Sequence, residues 1–550
     1  MIVGILFGFL LTSWWYVDDT EILAFISKYN PHEYLTDPDI WQRFSPFNLT
    51  PWVLLSLKAD MIIWGFNPVG YYLHQIISLA IIVLILFNVL KLYVKKESFA
   101  FIAVVMFIMS PPTLSVVSWL TLRHYLEGMG FGLLSIFFYV KAIRSNKLAL
   151  LCISTLFYLM AAVSKEVYVP LPFILVFLPE KDLHKRLVYS IPFIIVLGMY
   201  TLYRAWILGD NFMGGCSTIW PWTFKSAILN TPKVLKSHGG SWWVFSVVCI
   251  VIIWGLKYLN GHRTILKEIF RGIFLFLLLW TPIIPVSQLW GDRLDSLRFF
   301  FLTSLFIAIC YILSAERIFR ESEGRIQKAF ILLTVLFVLA GSYYSFKMQK
   351  VLWDSAKAEA YTTGKFFIEN NDRLDAIFII NQPHWFYDGL EKIKAEQSKK
   401  NAERKMRLVA EEFYGFNKLW SGEDLKIFAY DQRMNTVVDV SHKARKTHEV
   451  FLKTLHDKPL TVFLNIKGGT LNLQLGPYEG QYFILEASPS MPDFYYLALP
   501  IGNKVKIKLT HREKIRIFRF AYKSPEGWTS ISPEFVIDWS KDQTFNWSRT

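Results

Sequence analysis

The chain has 550 residues, of which 53% are hydrophobic and 17% aromatic, and it carries a formal net charge of +15. With a positive mean hydropathy, it cannot be an ordinary soluble single domain and reads instead as an integral membrane protein. No compact basic module or recognised motif stands behind the positive charge, so it is assigned to membrane topology and the C-terminal region, and a nucleic-acid partner is excluded.

Apolar runs at 2–17, 71–90, 98–110, 126–140, 148–163, 165–179, 187–208, 241–256, 269–285, 298–314 and 329–346 predict about eleven transmembrane helices, several of them short for a bilayer core about 30 Å thick. The first run has no basic n-region and no small-residue cleavage site before Asp18, and reads as a retained helix rather than a cleaved signal. A long loop, 18–70, follows. Its segments Glu21 to Tyr29 and Trp52 to Trp64 read as amphipathic helices on the membrane surface. A connection of this length usually has a function, and this one is too aromatic for disorder.

Lys and Arg concentrate in alternate short connections: Lys91, Lys95 and Lys96; Lys141, Arg144 and Lys147; Lys181, Lys185 and Arg186; Lys257, Arg263, Lys267 and Arg271; Arg317, Arg320, Arg325 and Lys328. The positive-inside rule makes these cytoplasmic. The loop 18–70 and the C-terminal domain are then extracytoplasmic, and the expected location is a bacterial inner membrane. Of four cysteines, Cys152, Cys249 and Cys310 fall in predicted spans and Cys216 in an outer loop, so no disulfide framework and no Cys/His metal cluster is expected. The sequons at Asn48 and Asn546 are read as chance occurrences.

The domains predicted are a transmembrane unit over 1–346 and an extracytoplasmic α+β unit over 347–550. Leu374 to Ile380 reads as a buried strand and Gly389 to about Ala410 as a charged amphipathic helix. From Leu425 onward, runs such as LKIFAY, TVVDV, LTVFLNI, TLNLQL, YFILEA, YYLALP, KVKIKL and KIRIFRFAY alternate with turn residues, predicting an antiparallel sheet or sandwich. No repeat of 20–50-residue period is present.

The acidic pair Asp18-Asp19 opens the first loop behind the aromatic belt Trp14-Trp15-Tyr16, and ionisable groups at a membrane boundary usually have a task or a partner. Further outer-facing polar elements follow: Arg43-Phe44-Ser45-Pro46-Phe47, Gly70-Tyr71-Tyr72-Leu73-His74-Gln75, Pro112 with Val117, Trp119 and Arg123, then Lys165-Glu166, and Arg298-Phe299-Phe300-Phe301. In this order and topology, over roughly residues 10 to 305, the chain resembles the GT-C superfamily of membrane glycosyltransferases. It is most similar to the branch holding the TMTC-type O-mannosyltransferases and their bacterial relatives. It departs from that pattern at Tyr72, where the family has His, and at Gln75, where it has Asn.

The resemblance implies a GT-C-like helical bundle that moves a sugar from a polyprenyl-phosphate donor to a hydroxyl of a protein, glycan or lipid. Such transfer needs a base for the acceptor's proton and cations for the departing phosphate. Asp18 or Asp19 is the candidate base. Arg123, Lys165 and Arg298 are the candidate phosphate ligands, with Arg293 and Arg204 behind them, and Glu166, Arg43, His74 and His124 are supporting residues. No cofactor or metal is called for. A hard cation on Asp18 or Asp19 is compatible but not indicated, and the two histidines read as packing or hydrogen-bonding residues.

Each piece also has a plainer reading. Acids after a membrane helix are often solvated markers, Lys165-Glu166 fits a mutually neutralising pair, and Arg298 fits a snorkelling side chain. Two other functions fit a chain of this kind: a transporter or flippase of a lipid-linked substrate, against which the lack of paired halves counts, and a silent membrane scaffold. In the C-terminal domain Trp385, Tyr387, Trp420 and Trp528 are candidates for sugar stacking or for the core.

Overall fold

A computed structural model of the chain describes residues 1–45, 48–180, 183–209, 275, 279, 294–321, 324–370, 377–380, 386, 389–390, 393, 406–409, 426–467, 470–488, 491–508, 515–538 and 541–550. The chain forms two compact units. One comprises Met1–Trp14, Pro31–Pro38 and Phe47–Lys357, the other Trp15–Asn30, Asp39–Pro46 and Ala358–Thr550.

The first unit is a bundle of apolar helices. The described helices of the first part of the chain are α1 (Ile2–Phe7, continued as a 3-10 turn to Thr12), α2 (Asp19–Lys28), α3 (Pro31–Thr36), α4 (Pro38–Phe44), α5 (Pro51–Trp64) and α6 (Pro68–Leu90), of which α2 and all of α4 after Pro38 belong to the second unit. They are followed by α7 (Glu97–Ile108), α8 (Pro111–Ser118), α9 (Arg123–Ser145), α10 (Leu148–Ser164), α11 (Leu171–Val176), α12 (Leu183–Leu208), α13 (Phe301–Glu321) and α14 (Arg325–Asn370). Local sequence sets several ends. Asn67 caps α6, accepting from the Val69 N–H at 3.1 Å, with Pro68 as the first helical residue. Asn146, left-handed at φ 57°, stops α9.

Among the described residues, five helical stretches are long and apolar enough to cross a bilayer: Pro68–Leu90, Leu120–Ser145, Leu183–Leu208, Ser296–Arg320 and Ile331–Asn370. The pair α7 and α8, bent by 59°, makes up to a sixth. This is fewer than the eleven read from hydropathy. The runs expected at 241–256 and 269–285 lie outside the described residues apart from Leu275 and Leu279. The shortfall elsewhere has local causes. Pro111 and Pro112 lack N–H donors, and the helix bends before them. Lys165 is extended, at φ −158° and ψ 142°, and the helical stretches on either side of it, Leu148–Ser164 and Glu166–Val176, are each too short to count as spans.

The structure places both helical segments of the first loop. The segment Glu21 to Tyr29 is helical and belongs to the second unit. As α2 it buries Ile22, Leu23, Ala24 and Ile26 in the second unit, where the Thr20 hydroxyl donates to the Phe386 carbonyl at 2.7 Å. The segment Trp52 to Trp64 forms α5, which is apolar on more than one side, burying Val53, Leu54 and Leu57 in the bundle while Ile62 and Ile63 are exposed. The boundary expected between 346 and 347 also moves. Helix α14 has 46 residues, runs through that point, and the units divide after Lys357. At 1.5 Å per residue it is roughly 69 Å long, far more than a bilayer requires.

The second unit contains three sheets. β1 (Ile377–Ile380) pairs in parallel with β2 (Met406–Val409) and β3 (Lys426–Asp431), and β3 pairs antiparallel with β4 (Thr436–Asp439). Residues 406–409 are thus a strand, not the end of the helix expected to reach Ala410, since MRLV completes the parallel sheet beside IFII. α15 (Ser441–Leu452) follows. The remaining strands are β5 (Leu460–Lys467), β6 (Thr470–Gly476), β7 (Tyr482–Ser488), β8 (Met491–Ile501), β9 (Lys504–Lys508), β10 (Ile515–Lys523), β11 (Thr529–Ile531), β12 (Phe535–Asp538) and β13 (Gln543–Arg549).

These make a sandwich. One sheet runs β11-β10-β7-β8 with β12 on β10, and the other β13-β5-β6-β9. Alternation decides which residues enter the core: Leu460, Val462, Leu464 and Ile466 of β5 and Leu471, Leu473 and Leu475 of β6 pack against Ile484, Phe518, Phe520 and Ile537. Trp528 packs on this core against Tyr478 and Tyr522, with ring centroids at 5.2 and 5.5 Å. Trp385, Tyr387 and Trp420 lie outside the described residues.

Candidate functional site

Helix α9 organises the polar interior of the bundle. Residues at 100° intervals around its first turns face different neighbours. Arg123 and Glu127, four residues apart, face α5 and α6, while the Tyr125 ring and Gly128 face the 3-10 turn Glu166–Tyr168.

The first cluster is closed. Arg123 has 0% exposure. Its guanidinium pairs with Asp60, donates from Nε to Gln75 Oε1 at 3.0 Å and from Nη2 to the Tyr71 carbonyl at 2.9 Å. His74 Nδ1 meets the other Asp60 oxygen at 2.7 Å, and its Nε2 lies 3.4 Å from Glu127 Oε1. Trp52 Nε1 and the Ser56 hydroxyl donate to Glu127 at 2.6 and 3.0 Å. Buried charges persist when paired and hydrogen-bonded, and this cluster meets that condition. The planar guanidinium reaches a carboxylate, an amide and a carbonyl together, which a lysine cannot do. The departure from the GT-C pattern at Gln75 falls inside this network, where the side chain also donates to the Val116 carbonyl at 3.1 Å. At the other departure, the Tyr72 hydroxyl donates to the Trp14 carbonyl at 3.0 Å and receives a bond from Lys357 Nζ at 2.8 Å.

The second cluster is more open. Glu166 pairs with Lys165 at 3.2 Å and with Arg204 of α12 at 2.6 Å, and accepts the Leu49 N–H at 2.9 Å. Lys165 Nζ stands 5.7 Å from the centre of the Tyr125 ring, and His124 lies within electrostatic reach of Lys165, Glu166 and Arg298. The Arg298 guanidinium stacks on Trp119 at 5.1 Å and on Phe299 at 4.9 Å, contacts that hold a cation where its solvation is poor.

The bundle also holds an apolar cavity of about 520 Å³, whose lining does not include Lys165, Glu166, Arg204, His124 or Arg298 themselves. Val167 and Tyr168, directly after Glu166, line it together with Leu302, one turn past Arg298. Its walls include Met129, Leu133 and Ile136 of α9 and Leu305, Ile309 and Leu313 of α13, with Glu316, Arg317 and Arg320 also in the lining. A Cβ on Gly128 would stand 2.4 Å from the Tyr168 ring, so the missing side chain is what lets that ring pack on α9. The Tyr168 hydroxyl donates to the Tyr125 carbonyl.

Of the residues singled out in the sequence, the structure therefore pairs Lys165 with Glu166, sets Arg298 on Trp119 and Phe299, and separately joins Arg123 to His74. Asp18, Asp19 and Arg43 belong to the other compact unit. There Asp19 is buried and accepts the Tyr16 N–H at 2.8 Å, while Arg43, in the last turn of α4, is exposed. Val17, between the belt and the acids, has φ 45°, a conformation that a β-branched residue adopts only under strain. Arg293 lies outside the described residues. Sequence reasoning missed Asp60 and Glu127. The spacing of Arg123 and Glu127 was the available signal for Glu127, but nothing local pointed to Asp60.

No family model matches the chain, and no curated protein matches it significantly. Among solved structures, it is similar to the Archaeoglobus fulgidus oligosaccharyltransferase crystallised with zinc and sulfate, at 12% identity and a TM-score of 0.40, covering 84% of this chain and 67% of that one. At that score the overlap is no basis for assigning fold or activity.

Proposed function

We propose that the protein is a GT-C-type glycosyltransferase that uses a polyprenyl-phosphate sugar as donor. The observation that carries this reading is the apolar cavity, whose lining residues Val167, Tyr168 and Leu302 follow Lys165-Glu166 and Arg298 closely in the chain. Its volume is that of a ligand pocket, its walls suit an isoprenoid tail, and Lys165 and Arg298, which precede those lining residues in the chain, are cations suited to a phosphate.

In this mechanism the bond from the sugar's anomeric carbon to the phosphate oxygen breaks, and the electron pair leaves with the phosphate. Lys165 and Arg298 stabilise the charge that develops there. A bond from the anomeric carbon to the acceptor oxygen forms, and the acceptor's proton passes to a carboxylate. We assign that carboxylate to the Asp18-Asp19 pair, which follows the strained residue Val17. Arg123 is assigned a positioning role, because its donors are engaged by Asp60, Gln75 and Tyr71. The acceptor is a hydroxyl of a protein, glycan or lipid on the extracytoplasmic face, and the location a bacterial inner membrane.

The test is transfer of labelled hexose from a polyprenyl-phosphate hexose by purified protein, comparing Asp18→Asn and Asp19→Asn with the parent. Loss of transfer in at least one variant, with donor binding and thermal stability retained, supports the reading. Full transfer in both would remove the pair from the chemistry.

A further inference from the structure

The outward face of the sheet β13-β5-β6-β9 is built unlike an ordinary solvated sheet. Where the inward residues of β5 and β6 are leucine, valine and isoleucine, the outward ones of β5, β6 and β13 are mainly amides and hydroxyls around one exposed ring. Phe463, in the inner strand β5, is 41% exposed. Register places it in a row with Asn546 of β13 on one side and Gln474 of β6 on the other, and Lys504 of β9 follows Gln474. The next row holds Thr544, Asn465 and Asn472. A depression of about 320 Å³ opens here, lined by Phe463, Asn472, Gln474 and Lys504 with Leu473 and Val505 beneath.

Charge on this face has one sign. The four strands read LTVFLNIK, TLNLQLG, KVKIK and QTFNWSR, without an Asp or Glu. Lys467 and Lys504 are exposed, while Arg549 is paired with Asp457 at 2.6 Å. Lysines on the edge strand β9 alone would be explained as protection against edge-to-edge pairing. That explanation covers neither an exposed phenylalanine in an inner strand nor the amides ranged beside it.

We propose that this face binds an acidic glycan, with Phe463 stacking on a sugar ring, Asn472, Gln474 and Asn546 hydrogen-bonding its hydroxyls, and Lys504 pairing with its carboxylate or phosphate. An aromatic platform supplies contact area at low entropic cost, flanking amides act as both donor and acceptor to vicinal hydroxyls, and a strand face without acids complements an anion. The proposal does not depend on the transfer chemistry.

The test is calorimetric titration of the full-length protein in zwitterionic nanodiscs. The probes are oligogalacturonate and a phosphomannan oligosaccharide, each against its neutral counterpart, methyl-esterified galacturonan and unphosphorylated mannan. At least one acidic glycan should bind about tenfold or more tightly than its neutral form, and Phe463→Ala should weaken it about tenfold while Phe463→Tyr retains it. Lys504→Gln should weaken binding and flatten its salt dependence. Because Phe463 is exposed, its replacement leaves the sandwich core intact. The proposal is overturned if neither acidic glycan binds, if neutral forms bind equally, or if Phe463→Ala has no effect. Binding of anionic vesicles with the same affinity by the parent and Phe463→Ala, in place of glycan binding, would make the face a lipid contact and equally overturn it.

Discussion

Replacing Glu166 by Gln isolates the charge that holds Lys165 and Arg204 together. The substitution keeps size and shape, and an amide oxygen can still accept the Leu49 N–H. What it removes is the counter-charge for Lys165 and Arg204, whose side chains are 13% and 12% exposed. Breaking a buried pair from one side costs about 3–5 kcal/mol, and the partial exposure of Glu166 favours the lower end, about 3 kcal/mol. Arg204→Met should cost a comparable amount, including its contact with Tyr200. That contact is lost in the single and the double variant alike, so it cancels from a double-mutant cycle. The pair of substitutions together should therefore cost about 1–2 kcal/mol less than the sum of the two. Denaturant titration in mixed micelles, followed by tryptophan fluorescence, measures all four corners. Costs that add, or a Glu166→Gln cost below about 0.5 kcal/mol, would show the pair to be a screened surface contact and refute the reasoning.

Gly128→Ala places a methyl group 2.4 Å from the Tyr168 ring and 2.9 Å from Ser164 Cβ. It should destabilise the bundle by about 1–3 kcal/mol and weaken donor binding by displacing Tyr168 in the cavity lining; thermal unfolding and lipid titration check the two effects. In the second unit, burial raises the Asp439 carboxyl, but hydrogen bonds from Ser441 and the charge of Lys426 outweigh it and hold the group below its ordinary value. Its contribution to the start of α15 is therefore fully present above the unfolded pKa and is lost as pH falls through the lowered folded value. Parent and Asp439→Asn should differ in stability at neutral pH and converge in strong acid, as followed by helical circular dichroism.

Much of this architecture is legible in the sequence, and the failures have physical causes. The strand runs from LKIFAY to KIRIFRFAY are β3 to β10 because alternation and turn residues agree there. QTFNWSR escaped notice although it forms β13, since its pairing with β5 fixes its alternation and its own residues are largely polar. MRLV read as helix because a parallel edge strand is supported by distant partners, not by its own neighbours. Helix α14 hid the division between units by continuing as a helix after its apolar character ended. At the site, Lys165-Glu166 was visible as a pair because the residues adjoin, and Arg298 through its aromatic neighbours. The role of Arg123 was not, because Asp60 lies 63 residues earlier, and a carboxylate within an apolar helix announces that it needs a partner without saying which.

The most direct measurement is photolabelling with a diazirine-bearing polyprenyl phosphate, followed by peptide mapping of the adducts. The account predicts labelling of the cavity walls, at Met129 and Leu133 of α9 and Leu305 and Ile309 of α13, and its loss when Lys165 and Arg298 are both replaced by Met. Adducts that avoid these positions, or that persist undiminished in the double variant, would contradict it.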